Sequence, residues 1–148
     1  SEPGNIDARA AMQVGSHFAG IAIENAMLGI CHACANPLTA HYGITHGAAI
    51  GLLLPRVIRF NARSVESLYA ELVSVSLQSN GEPASEILAR RINELLAFAG
   101  QPHRLRDCGV SESILHLLAE EARQQWTANF NPHPVTEADL EQVYAEAW

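Results

Sequence analysis

The segment Ile30-Cys31-His32-Ala33-Cys34-Ala35-Asn36-Pro37-Leu38-Thr39-Ala40-His41-Tyr42-Gly43-Ile44-Thr45-His46-Gly47 gathers most of the side chains that could do chemistry. His32 and His46 lie fourteen residues apart, one on an expected helix and the other at the start of the next. Neutral imidazole is a common ligand for divalent transition metals. Two histidines do not complete such a site, because zinc or ferrous iron takes at least three or four ligands, usually with a carboxylate or a third histidine. On spacing alone, core or helix-terminus histidines satisfied by hydrogen bonds are the other reading. Asn25, His32 and Asn36 follow at intervals of seven and four, which places them on one face of a continuous helix. Each buried polar group left unpaired there would cost roughly 1–3 kcal/mol. The stripe therefore needs partners: each other, water, a metal or a substrate.

Cys31 and Cys34 form a Cys-x-x-Cys pair. A thiol-redox site of that spacing normally follows a strand, and a zinc ribbon needs a second pair. No strand pattern precedes it, and the only other cysteine is Cys108. Small cysteines lining a helix interface are the expectation. Glu24, the one formal charge between Phe18 and Leu54, is either an acid/base group or a partly exposed helix carboxylate. His17, His103, His116 and His133 read as surface or loop residues, and His41 as a turn residue.

The elements that must position these groups read as helices almost throughout. Asp7 to about Leu28 has apolar residues at helical spacing, and Gly29 marks a break or a close contact. Ile30 to about His41 is a second helix, bent or ended near Pro37. Thr45 is placed to cap a helix from His46 through Phe60, with Pro55 as a kink. Ser64 starts another, reaching about Leu77, and Gln78 to Gly81 reads as a loop. Pro83 opens a helix that runs to Ala99 and stops at Gly100, with Ile87, Leu88, Ile92, Leu95, Leu96 and Ala99 on one face. Ser111 caps a helix through Ala122, and Thr127 to Val135 is a Pro- and Asn-rich loop. Thr136 with Asp139 forms a capping arrangement for the last helix. The expected fold is a single all-α domain over residues 1–148, a bundle of about six or seven helices.

Composition narrows the function classes. The chain has 148 residues, a net charge of −7, 48% hydrophobic residues and only 17% charged ones, against about 25% in ordinary soluble chains. A shortage of solvent-facing charge means unusual compactness or a surface that something else covers. With no basic cluster, nucleic acid is not an expected partner. No apolar run reaches the roughly 18 residues of a membrane span, and without a basic n-region no signal peptide is expected. An odd number of cysteines fits a reducing cytoplasm. No Gly-x-Gly-x-x-Gly follows a strand, and neither a P-loop nor a nucleophile elbow is present. The chain thus shows no means of holding a dinucleotide by itself.

Ala19-Gly20-Ile21-Ala22 with Asn25-Ala26, then His32-Ala33-Cys34-Ala35-Asn36-Pro37-Leu38, His46-Gly47, Leu53-Leu54-Pro55, Arg59-Phe60-Asn61-Ala62 and Asn131-Pro132-His133-Pro134 resemble the iron-containing (group III) alcohol dehydrogenases. The resemblance is to that family's C-terminal helical domain and runs from about Asn5 to Trp148. It implies a two-domain enzyme with its active site in the cleft between a nucleotide-binding α/β domain and this helical one. A divalent metal, iron by preference and zinc as an alternative, would be held by an Asp and three His. His32 and His46 match two of those histidines. The remaining two ligands belong to a motif upstream of the matched region. Ile23 falls at a position facing substrate in some relatives, and Asn36 stands where many have a histidine near the reacting centre. Asn cannot titrate near neutral pH, so proton relay at that position is not expected.

The resemblance implies NAD(P)-linked interconversion of a small alcohol and aldehyde, with a nucleotide-binding domain in cis or trans, a homo-oligomer, and no turnover by this chain alone. A non-catalytic helical interaction module that keeps the fold is the alternative.

Overall fold

The structure is a computed structural model that describes residues 2–76 and 81–148. It contains six α-helices: α1 (Ile6–Ala26), α2 (Ile30–Tyr42), α3 (His46–Ser76), α4 (Ala84–Phe98), α5 (Leu115–Gln124) and α6 (Glu137–Ala147). Short 3-10 turns occupy Leu105–Cys108, Glu112–Ile114 and Trp126–Phe130. No strand occurs among the described residues. The expected all-α fold is thereby found.

Local chemistry explains most boundaries. Asn5 caps α1 by accepting the Ala8 backbone N–H at 3.0 Å. Thr136 and Asp139 form the reciprocal capping box expected from sequence, and the backbone N–H and the hydroxyl of Thr136, both donating to Asp139 Oδ2, hold that carboxyl below the usual carboxylate range. Gly43 closes α2 at φ +63°, a left-handed conformation that glycine adopts freely. Pro37 sits inside α2 and Pro55 inside α3 without ending either helix.

Some expected boundaries differ. The helices read as ending near Phe60 and starting at Ser64 are one element, α3, bent at Val65 (φ −135°, ψ 19°). Ser111 caps no α-helix directly, because its hydroxyl meets Ser113 and a 3-10 turn precedes α5. Part of the Thr127–Val135 loop is the 3-10 turn Trp126–Phe130. The expected helix end at Leu77 and most of the Gln78–Gly81 loop lie outside the described residues.

The core is built on α2. Ile30, Cys31, Ala33, Cys34, Ala35 and Leu38 are buried, packed with Leu52 and Leu53 of α3, Leu118 of α5, and Leu140 and Tyr144 of α6. Tyr144 is fully buried, and its hydroxyl donates to the Cys34 carbonyl at 2.7 Å. Trp148 donates its indole N–H to the Val110 carbonyl at 2.8 Å. Helix α4 packs along α3, where Gly51 permits an approach so close that a Cβ would come within 2.7 Å of Leu96 Cδ2. Leu95 and Ala99, placed by sequence on the apolar face of α4, are exposed, whereas Ile87 is buried and Leu96 is half-buried.

Helix α1 is different. It turns away from α2 by 108°, and none of its residues is buried. Met12 (75% exposed) and Phe18 (64%) are the extreme cases. This is the uncovered apolar surface that the low charge content anticipates. Among the described residues, no single helix is long and apolar enough to cross a membrane.

Candidate metal centre

His32 occupies the first turn of α2, and His46 is the first residue of α3. A simple hairpin would put His46 beside the C-terminal end of α2, ten residues and about 15 Å of helix away from His32. Instead the chain turns back at once, the Thr39 hydroxyl donating to the Ile44 carbonyl at 3.0 Å, and the first turn of α3 lies against the first turn of α2. The imidazole centroids end 5.3 Å apart, tilted by 45°. The Cys31 thiol points at the Ile50 carbonyl (3.8 Å) and fixes the same crossing one turn into α3.

That separation fits a shared ion. Two imidazoles bound to one tetrahedral metal at about 2.0–2.1 Å per nitrogen have ring centres about 5 Å apart. His32 is half-buried, and burial together with the neighbouring His46 lowers its pKa below 6.5. Both effects favour the neutral ring, the form that ligates a metal. No cluster of three or more His, Cys, Asp or Glu side chains suited to an ion occurs among the described residues. The pair by itself is short of the three or four ligands that zinc or ferrous iron takes.

The polar stripe drawn from sequence is broken by the corner between α1 and α2. Asn25 lies on α1, exposed, with its amide donating to the Ile21 carbonyl at 2.7 Å. Asn36 remains on α2 with His32, and its amide donates to Gln125 Oε1 at 3.0 Å beyond the end of α5. Ile23 is on α1 and 41% exposed. Glu24 is exposed there too, sharing a shallow depression with His17, Gly20, Ile21 and Asn25.

Both Cys-x-x-Cys thiols are buried packing groups. Burial pushes the Cys31 thiol up to about 12 and raises Cys34 further, so neither supplies the thiolate that redox or zinc chemistry needs.

Three histidines read as unremarkable have organised neighbours. His41 Nε2 meets both Glu121 oxygens at 2.9 Å, tying α2 to α5. His116 lies 3.2 Å from Glu141 and 3.8 Å from Glu137, tying α5 to α6. His133 Nδ1 is 3.1 Å from the Ser64 hydroxyl, with its ring edge-on to Phe60. Asn61 and Asn131, which sequence reasoning named only within the motifs of the resemblance, bond reciprocally through their side-chain amides at 3.0 and 2.7 Å. The available signal was Asn61, an uncharged amide inside a helix, which requires a partner once buried.

The described residues thus form an all-α domain with two imidazoles 5.3 Å apart at the starts of α2 and α3 and with an uncovered apolar helix, α1. The chain belongs to the iron-containing alcohol dehydrogenases: residues 1–148 match the family described as "Fe-containing alcohol dehydrogenase family, C-terminal". Lactaldehyde reductase of Escherichia coli (strain K12) is 32% identical over 152 residues, spanning 100% of this chain and 40% of that protein. The 1,3-propanediol dehydrogenase of Citrobacter freundii is 32% identical, spanning 97% of this chain and 38% of that protein. Among solved structures, an alcohol dehydrogenase from Oenococcus oeni superposes with a TM-score of 0.93 at 30% identity, over 100% of this chain and 40% of its own. A 1,3-propanediol oxidoreductase superposes with a TM-score of 0.91 at 32% identity, over 98% of this chain and 39% of its own. The chain thus spans about two-fifths of the length of these relatives.

Proposed function

We propose that this domain supplies half of the metal cage, and one wall of the substrate pocket, to an NAD(P)-linked enzyme that interconverts a small alcohol and its aldehyde. The observation that carries the reading is the 5.3 Å pairing of His32 and His46 in a chain that matches the family along its whole length. His32 and His46 would hold the divalent ion, with ferrous iron favoured and zinc possible. When bound, that ion supplies Lewis-acid polarisation of the alcohol or carbonyl oxygen. The chain's own part is to present two imidazole rings in fixed relation, and the lowered pKa of His32 favours its neutral, metal-ligating form. Asn36 can orient a polar group by hydrogen bonding but has no proton to relay, and Ile23 is the candidate pocket residue on α1.

The nicotinamide and the remaining ligands would come from a nucleotide-binding half, in cis or trans. The exposed apolar length of α1 supports such a partner, and any apolar surface it leaves uncovered would serve a homo-oligomer. Three unpaired cysteines support a cytoplasmic setting. The family match favours this reading over a helical interaction module without catalysis.

The test is metal analysis with and without a nucleotide-binding half. The chain alone should bind Fe2+ or Zn2+ weakly and turn over no alcohol. Full affinity and activity should appear with the partner half, and His32→Ala or His46→Ala should each weaken binding by tenfold or more. Tight stoichiometric metal in the isolated chain, unchanged by both substitutions, refutes the assignment.

A further inference from the structure

We infer that Asn131 and Asn61 act as a positioning clamp for His32, an inference that rests on the metal-ligand reading of His32 and His46. The corner between α1 and α2 is the weak point in the placement of His32. Met27 sits at φ 61°, ψ −175°, a region that only glycine occupies without strain. Gly29 follows with ordinary extended backbone (φ −111°, ψ −157°), so it is not needed for its dihedral freedom. It is needed for space, since a Cβ there would lie 3.2 Å from Asn131 Oδ1 and 3.7 Å from Asn131 Cα. The Gly29 carbonyl in turn accepts the backbone N–H groups of His32 (3.2 Å) and Ala33 (3.3 Å). Asn131 therefore lies directly against the residue that anchors the turn carrying His32.

Asn131 is itself held. Its amide donates to Asn61 Oδ1 at 2.7 Å and to the His133 carbonyl at 2.8 Å, while the Asn61 amide donates to Asn131 Oδ1 at 3.0 Å. Asn61 is 5% exposed and belongs to α3, the helix that His46 begins. The clamp links the two histidine-bearing helices through one rigid amide pair, so relief of the strain at Met27 cannot swing the start of α2 away from α3. Each side of the pair must both donate and accept, which Asn does and Asp does not.

Amide hydrogen exchange and Co2+ titration on the full chain test this. Asn131→Ala and Asn61→Ala should speed exchange at His32 and Ala33 by about tenfold, while the last turn of α2 keeps its wild-type rates. Co2+ affinity should fall by about tenfold in both variants. Gly29→Ala probes the same contact from the other side: it should reproduce the effect alone and add little when combined with Asn131→Ala. Asn129→Ala, at an exposed neighbouring position, should change neither readout. Unchanged exchange at His32 and Ala33, or a uniform rise along α2, overturns the clamp. Co2+ binding indifferent to His32→Ala and His46→Ala overturns the ligand reading, and the clamp's purpose with it, whatever the exchange shows.

Discussion

His32 gives up its proton more readily than a free imidazole, because partial burial and the adjacent His46 both disfavour a charged ring. The consequence has a definite sign. Below pH 6.5 the unfolded chain takes up a proton at this position, while the folded chain resists until its lower pKa is reached. The unfolded state thus binds more protons in that window, and stability falls as pH drops through it. Replacing His32 with Gln, which does not titrate, should make the loss of Tm between pH 6.5 and 5 shallower than in the wild type, as scanning calorimetry would register. An equally steep loss would show that His32 titrates like a solvent-exposed histidine. The same physics suits the ring to metal ligation, since protons compete for it only in acid.

At the scale of elements, the last helix depends on a cap that is visible in both sequence and structure. Thr136 Oγ1 accepts the Asp139 N–H at 3.2 Å, and Asp139 accepts the Thr136 N–H at 2.8 Å. Helix α6 delivers Tyr144 to the Cys34 carbonyl in the middle of α2, so fraying of α6 reaches the core. Thr136→Ala should destabilise the domain by about 1 kcal/mol in chemical denaturation. A change near zero would mean that tertiary packing alone holds the start of α6. Capping and periodicity are local rules, which is why the last helix, the break at Gly29 and the approximate limits of α1, α2 and α4 could be read from residues. The pairing of His32 with His46 was legible only as a spacing, because it depends on how α3 packs against α2. The stripe of Asn25, His32 and Asn36 failed for the same reason: a 108° corner intervenes, and periodicity does not foresee corners. The bond between Asn61 and Asn131 joins residues seventy apart, beyond any local pattern.

For the whole molecule, the question is what covers α1. Val14, Phe18 and Ile21 form one apolar stripe on this helix, and Met12, Ala19 and Ile23 form another, yet every residue of α1 is exposed. A helix apolar on more than one flank is built to be enclosed. The relatives that superpose on this chain are about two and a half times as long, and in the reading proposed above their additional length supplies the enclosure. Because α1 buries nothing here, altering its surface should leave the fold of the chain intact. Phe18→Asp and Met12→Asp should each shift the unfolding free energy by no more than about 0.5 kcal/mol, the range of ordinary surface substitutions. Each should nevertheless weaken association with a separately supplied nucleotide-binding half, measured by calorimetric titration, because a charge buried in an apolar interface is left without a partner. Loss of stability in either variant without the partner half would mean that α1 is already packed in solution. Weakened association from Phe18→Asp alone would confine the interface to a single flank of the helix.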